Sequence, residues 1–215
     1  MSSKGQSHDK ATLAFYATEA AAYGARSDGI GVSKSLTAFL AELPKGAAVL
    51  DLGCGAGRDT HALIEAGMAV TAVDGSPEMA REAERRLAMP VRVMLFEDLD
   101  DVNAFDGIWA NASLLHVPRS GLPDVLARVH RALRPNAILY ASFKSGGTDG
   151  RDKLGRYYNY LNADEVSALL RAAGNWRSID ISQGRGKGYD GTETGWVQAL
   201  ARKSGDSAFQ PAALN

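Results

Sequence analysis

Val49-Leu50-Asp51-Leu52-Gly53-Cys54-Gly55-Ala56-Gly57-Arg58-Asp59-Thr60 reads as an apolar strand that runs into a glycine turn and leaves it as a helix. Gly53 and Gly55 permit positive φ, and the missing side chains let a bulky ligand lie directly on the backbone. The helix that follows begins with free N–H groups. Outward from this turn the apolar runs alternate between two periods. Residues 48–52, 69–73, 91–96, 107–110 and 137–143 are short and β-rich, and predict strands. Residues 60–66, 77–88 and 122–133 have helical spacing, the last with Leu122, Val125, Leu126, Val129 and Leu133 on one face. Strand, helix and strand in repetition require right-handed crossovers and a mainly parallel sheet covered on both faces, so the fold class is α/β.

Beyond Gly150 the rhythm changes. A helix is expected over 162–173, followed by apolar segments 176–181 and 196–201 that pair as an antiparallel edge across a mobile, glycine-rich connection at 184–191. Before the first strand, helices over 10–25 and 32–43, separated by the flexible Ser27-Asp28-Gly29, are placed to cover the open end of the sheet. The expected organisation is one domain over 1–204, with a helical cap at 1–44, a core at 45–204 and a flexible tail at 205–215.

Composition narrows the function classes. Hydrophobic residues make up 45% and charged residues 23% of the 215, with no long uncharged run suited to a bilayer. Residues 1–10 are polar and lack a secretory h-region, so a cytoplasmic location is expected. Cys54 is the one cysteine and no histidine clusters near it, which argues against a disulfide and against a metal centre. With 24 basic against 25 acidic residues there is no surplus of positive charge to hold a nucleic-acid backbone.

The chemistry extends from the glycine turn to the next strand, Ala69-Val70-Thr71-Ala72-Val73, which ends at Asp74. A carboxylate there can accept both hydroxyls of a ribose. The other reading is a helix cap, but Ser76 followed by Pro77 makes the better cap and leaves Asp74 free. A nicotinamide-dependent oxidoreductase prefers G-x-G-x-x-G, and Arg58 stands where its third glycine belongs. Asp51 also repels phosphate and suits an ammonium, which favours an amino-acid-bearing cofactor.

The whole string resembles motif I of the class I S-adenosylmethionine-dependent methyltransferases, and Val70-Thr71-Ala72-Val73-Asp74 resembles the family's next motif, over a likeness running from about residue 45 to 145. The resemblance implies a Rossmann-like, doubly wound, seven-stranded, mostly parallel sheet with an antiparallel edge strand. It implies S-adenosylmethionine as cofactor, with Gly53, Gly55 and Gly57 around the methionine moiety beside Asp51, Cys54 and Arg58. Asp74 would hold the ribose, followed by Gly75, Ser76 and Met79. In Phe96-Glu97-Asp98-Leu99 an acidic side chain is expected at the adenine amino group: Asp98, beside Leu99, with Glu97 or a merely solvated loop as alternatives. Phe105-Asp106 resembles the family's strand opening, with Asp106 structural. Asn111-Ala112-Ser113-Leu114-Leu115-His116 falls where sulfonium and acceptor meet, so Asn111 and Ala112 join the cofactor set. His116 either takes a proton from the acceptor or packs at the start of a helix. In Arg134-Pro135-Asn136-Ala137 the usual glycines after Pro are replaced, and Asn136 tolerates left-handed φ.

Gly55-Ala56-Gly57-Arg58-Asp59 and Asp98-Leu99, in a short chain, resemble the small-molecule branch around the tellurite-resistance methyltransferases. The expected activity is methyl transfer to a small-molecule acceptor by in-line displacement; a non-catalytic S-adenosylmethionine-binding module has the same motifs. Acceptor identity lies outside them, because one core serves many acceptor atoms. Tyr16 and Tyr23 on one face of the first helix, with Arg26, form a lid or simple packing. Lys144, Arg151 and Arg156, followed by Tyr157, bind an anion or lie on the surface, and Arg185 and Trp196 complete the pocket or only the sheet edge.

Overall fold

The computed structural model describes residues 8–27, 29 and 31–205; Asp28 of the expected hinge and residues 206–215 of the expected tail lie outside the described residues. Helices α1 (Lys10–Ser27) and α2 (Lys34–Ala41) come first, followed by β1 (Ala48–Leu52), α3 (Arg58–Glu65), β2 (Ala69–Asp74), α4 (Pro77–Leu87) and β3 (Arg92–Val93). Then come β4 (Phe105–Ala110), α5 (Leu122–Ala132), β5 (Leu133–Ser145), β6 (Gly150–Arg151), β7 (Tyr157–Tyr158), α6 (Ala163–Ala173), β8 (Trp176–Lys187) and β9 (Glu193–Lys203). Seven strands form one sheet in the order β3-β2-β1-β4-β5-β9-β8. Strands β3, β2, β1, β4 and β5 run parallel, and β9 is antiparallel to both β5 and β8. The strand order reverses between β1 and β4, and a crevice at such a switch point is where open α/β sheets bind ligands.

Local chemistry explains the helix boundaries. Ser76 caps α4 through Oγ to the Met79 N–H, Pro77 occupies its first turn, and Arg85 and Arg86 lie in its last. Asn162 and Glu165 close a capping box on α6. One face of the sheet carries the larger core, in which Leu122, Val125, Leu126 and Val129 of α5 meet Leu50, Ile108 and Leu139. The other face packs Leu36 and Phe39 of α2 with Val49, Trp109 and Tyr140; the Trp109 and Tyr140 rings stack at 4.1 Å.

Three expected elements take a different form. The strand expected over 91–96 is reduced to β3, because the chain turns into a short 3-10 helix at Phe96–Asp98 once Met94 has paired with the Asp74 carbonyl. The connection at 184–191 is mostly ladder: β8 and β9 pair as far as Lys187 opposite Glu193, so the hairpin projects beyond the sheet. Strand β5 begins four residues early, with Asn136 at φ 66° where the register with β4 shifts between Phe105 and Gly107. The β6–β7 pair was not foreseen, two residues per strand being too short for a periodic signal. No helix among the described residues is long and apolar enough to cross a membrane.

Helix α2 sits close on the sheet because position 107 has no side chain: a Cβ there would lie 2.8 Å from the Phe39 ring. Gly107→Ala is therefore expected to cost about 1–3 kcal/mol of stability through overpacking. Urea unfolding checks this, and an unchanged midpoint would contradict the packing described for this face.

Candidate active site

A cavity of about 550 Å³ opens at the carboxyl ends of β1, β2, β4 and β5, roofed by α1 and by the projecting β8–β9 hairpin. Its floor is the glycine turn. The N–H groups of Gly53 and Cys54 both donate to the Val73 carbonyl, at 3.0 and 2.9 Å, which seats the turn against β2. Gly53 has φ 83° and no room for a Cβ, which would meet Ser113 Cβ at 2.5 Å. Gly55 has φ 57°, and the Tyr23 ring lies over it, 3.4 Å from where a Cβ would stand. Asp74 clasps both turns, its Oδ2 accepting from the Gly55 N–H and its Oδ1 from the Ser76 N–H, each at 2.9 Å. Asp74 is thus not free of the backbone as the sequence suggested, although it lines the cavity.

Two more carboxylates crowd this end. Asp51 is buried and accepts from Thr60 Oγ1 at 2.6 Å; burial, reinforced by the neighbouring Asp59 charge, pushes its carboxyl up to about 8. Asp59 accepts from Arg58 Nε at 2.7 Å, Trp109 Nε1 at 2.9 Å and Asn111 Nδ2 at 3.0 Å. Burial works against its ionisation, but the Arg58 bond and charge, with the Asn111 and Trp109 donors, together hold it below the usual carboxylate range. Asn111 Oδ1 accepts from Ser142 Oγ, and that oxygen accepts in turn from the Ala112 N–H, so Asp59, Asn111 and Ser142 fix the carboxyl end of β4.

At the opposite end the walls are aromatic. His116 Nδ1 lies 2.6 Å from the Tyr157 carbonyl oxygen, which only accepts, so Nδ1 carries the hydrogen. Burial drives the imidazole down to about 4, leaving it neutral with a lone pair on Nε2, to which Tyr16 Oη donates at 2.9 Å. Arg156, 1% exposed, reaches Tyr16 Oη at 3.5 Å and is paired with Asp152 through Nε and Nη2 at 2.9 and 2.6 Å. Tyr16, Tyr23, Tyr158 and Tyr189 surround this group, with Tyr23 stacked on Tyr189 at 5.0 Å and Arg26 over the Tyr189 ring at 4.6 Å. Helix α1 is fixed over the site by Asp9, which caps it and holds Arg151 at 2.7 and 2.9 Å, and by Thr12 Oγ1, which accepts from the Tyr157 N–H.

Of the residues singled out in the sequence, Asp51, Gly53, Cys54, Gly55, Arg58 and Asp74 line the cavity. So do Gly75, Met79, Asn111, Ala112 and His116, and Tyr16, Tyr23, Arg26 and Lys144. Five do not. Gly57 turns its missing side chain toward Leu87, 2.7 Å from a would-be Cβ, and serves the packing of α3 on α4. Ser76 is consumed as the α4 cap. Asp98 points to solvent from the 3-10 helix, and Leu99, 1% exposed, drops into the core beneath α5. Tyr157 reaches the site through its backbone carbonyl, while its hydroxyl faces Arg119 and Asp149 outside. Glu97, the alternative to Asp98, bonds His8 Nδ1 at 2.7 Å and keeps Oε2 buried without a hydrogen-bond partner among the described residues. Met94, Leu95 and Phe96, which the sequence placed in a strand, form an apolar wall instead. The partners Asp59, Ser113 and Ser142 were missed because each acts across tens of residues, which no local spacing reports. No group of three or more metal-ligating side chains is present among the described residues.

Residues 49–136 match the family model described as methyltransferase domain. A ubiquinone biosynthesis O-methyltransferase of Xanthomonas axonopodis pv. citri is 29% identical over 61% of this chain and 63% of its own length. A malonyl-[acyl-carrier protein] O-methyltransferase of Enterobacter lignolyticus is 31% identical over 68% of this chain and 51% of its own, so the chain spans between half and two thirds of these curated relatives. Among solved structures, the 1,6-didemethyltoxoflavin-N1-methyltransferase of Burkholderia thailandensis, with bound 1,6-didemethyltoxoflavin and S-adenosylhomocysteine, aligns with a TM-score of 0.72 at 28% identity. That alignment covers 90% of this chain and 88% of the other.

The carboxyl of Asp51 lies above its unfolded value of 3.8, at about 8, so its contribution to stability is complete below about pH 4 and is lost as pH rises through about 8. Wild type should therefore lose stability between about pH 5 and pH 8 relative to Asp51→Asn. Urea midpoints of both proteins at the two pH values test this, and parallel pH dependences would contradict a raised Asp51.

Proposed function

We propose that this chain, which matches the methyltransferase-domain family over residues 49–136, is a class I S-adenosylmethionine-dependent methyltransferase and that it methylates a small-molecule acceptor held at the aromatic end of its cavity. S-adenosylmethionine is the cofactor of this family, and the residues present fit it. The observation that carries the reading is the carboxylate-lined glycine turn at the sheet's switch point. Three clustered carboxylates, two of them, Asp51 and Asp74, pushed above the usual carboxylate range by burial, suit an α-ammonium and disfavour a pyrophosphate. The glycine turn leaves no side chain of its own between the Tyr23 ring and the amino-acid portion, and Asp74 lines the cavity within reach of ribose hydroxyls. Met94, Leu95 and Phe96 offer an apolar face to an adenine, with Glu97 Oε2 as acceptor for its amino group in place of Asp98.

Bound S-adenosylmethionine supplies an electrophilic methyl group on a sulfonium. The chain's own contribution is position and proton handling. Asn111 and Ala112, fixed by Asp59 and Ser142, set the floor where the two ligands meet. Tyr16 meets the acceptor: its hydroxyl can accept the acceptor's proton as its own passes to His116 Nε2, and the Tyr157 carbonyl keeps the imidazole in the tautomer that can take it. His116 acts through Tyr16 rather than on the acceptor itself. The substrate-side set is Tyr16, Tyr23, Arg26 and Lys144, with Tyr157 contributing backbone only. A tellurite-type oxyanion, the narrower likeness in the cofactor motifs, would leave these rings without contact, so we favour an organic acceptor large enough to touch them.

Asp74→Ala is expected to weaken S-adenosylhomocysteine binding at least tenfold by calorimetry; unchanged affinity would remove Asp74 from the ribose. Methyl transfer assayed against a panel of small phenols, enols and amines tests the activity. On an acceptor that must lose a proton, Tyr16→Phe should lower kcat by about 10²-fold or more with little change in the cofactor's Kd; equal kcat for wild type and variant would exclude the relay.

A further inference from the structure

Strand β5 buries Ala141 and Phe143 on one face and presents Tyr140, Ser142 and Lys144 to the cavity on the other. A lysine in so apolar an inner strand calls for a counter-charge, and among the described residues no carboxylate closes an ion pair with Lys144, although Asp190 and Asp152 lie near enough to favour its charge. Lys144 is 6% exposed, and its Nζ makes no hydrogen bond or ion pair; its one close neighbour is the Tyr158 ring, 3.9 Å from the centroid. Of the nearest carboxylates, Asp152 is neutralised by Arg156 at 2.6 Å, whereas Asp190 accepts from the Thr192 hydroxyl at 2.9 Å and keeps its charge near Lys144 without bonding Nζ. The hairpin comes close to this ammonium: a Cβ at Gly188 would stand 3.1 Å from Nζ and 3.0 Å from Asp190 Oδ1. The other buried cation of this end, Arg156, is already neutralised by Asp152 and fills the space between Phe15, Tyr16, Tyr158 and Tyr189, so the aromatic cluster is not an open receptor for a cationic ligand.

We propose that Lys144 is the anion hook of the acceptor subsite, and that the acceptor is a flat, conjugated molecule bound through an ionised oxygen, of phenolate, enolate or carboxylate type. The charge goes to Nζ, and the ring goes against Tyr158 and against Trp196, which pairs opposite Lys144 in the β5–β9 ladder and also lines the cavity. This rests on the methyltransferase reading of the cavity and adds the chemical class that its acceptor end recognises. An ammonium held for a ligand is a liability without it, because burial opposes its charge and Arg156 repels it.

The probe is 4-nitrophenol, whose ionised form absorbs at longer wavelength than the neutral one. It is titrated into protein saturated with S-adenosylhomocysteine at a pH below the probe's own pKa, with 4-nitroanisole as its neutral counterpart. Wild type should bind the phenolate in preference to the anisole and raise the phenolate absorbance. Lys144→Met should weaken phenolate binding at least tenfold while leaving S-adenosylhomocysteine affinity within about twofold, and Lys144→Arg should retain phenolate binding. Lys144→Met without ligand should also melt at a higher temperature than wild type, a rise that a structural lysine would not give. The proposal is overturned if wild type binds no phenolate, if it prefers the anisole, or if Lys144→Met binds phenolate as tightly as wild type. The two readings fail separately: wild type that does not bind S-adenosylhomocysteine sinks the methyltransferase assignment, whereas intact S-adenosylhomocysteine affinity without phenolate preference sinks this one.

Discussion

Three carboxylates crowded at one end of a parallel sheet, Asp51 buried and Asp59 and Asp74 half-buried, set the terms for everything around them. Asp51, Asp59 and Asp74 stand at the carboxyl ends of β1 and β2 and the start of α3, where loss of water contact resists their charge, and at Asp51 the Asp59 and Asp74 charges add to it. Asp59 is held ionised by Arg58, Trp109 and Asn111, whereas Asp74 accepts from backbone N–H groups and burial still keeps its carboxyl above the usual range. Asp51 has one hydroxyl partner and keeps its proton up to about pH 8. A fold optimised for stability alone would place apolar side chains here. The arrangement makes physical sense as a site completed by a ligand that brings positive charge and hydroxyl donors.

The far end of the cavity follows the same logic with the opposite sign. Arg156 is answered by Asp152 within the chain, while Lys144 is left to the cavity. The two ends thus ask for opposite charges from two ligands, a cationic amino-acid portion below and an anionic oxygen above. Helix α1 and the β8–β9 hairpin close over both. They are joined to each other through Tyr23 on Tyr189 and Glu19 with the Tyr189 hydroxyl, and to the wall through Asp9 with Arg151.

Much of the fold was legible because its signals are periodic and local. The alternation of short β-rich runs with amphipathic helices leaves few topologies for a parallel sheet, and the two late apolar segments could be read as an antiparallel edge. What escaped was of two kinds. Short irregular pieces, β6–β7 and the turn that replaces most of β3, carry too few residues for a period, so Asp98 and Leu99 were assigned to a wall that Met94, Leu95 and Phe96 form. Partnerships across the fold are invisible to spacing: His116 gives no hint in sequence that Tyr16, a hundred residues earlier, will occupy its Nε2, or that Tyr157 will fix its tautomer. The glycine turn was readable as a ligand floor, but Gly57 within it proved to serve helix packing, since three alternating glycines look alike until their neighbours are known.

The most direct test of the account is calorimetric titration with S-adenosylhomocysteine near pH 7, in two buffers of different ionisation enthalpy, with NAD as the comparison. An α-ammonium arriving beside Asp51 should pull its carboxyl down from about 8, so binding should release a fraction approaching one proton, and Asp51→Asn should abolish that release. Binding of NAD in place of S-adenosylhomocysteine, or S-adenosylhomocysteine binding with no proton released by wild type, would contradict the assignment of the carboxylate-lined turn to the cofactor.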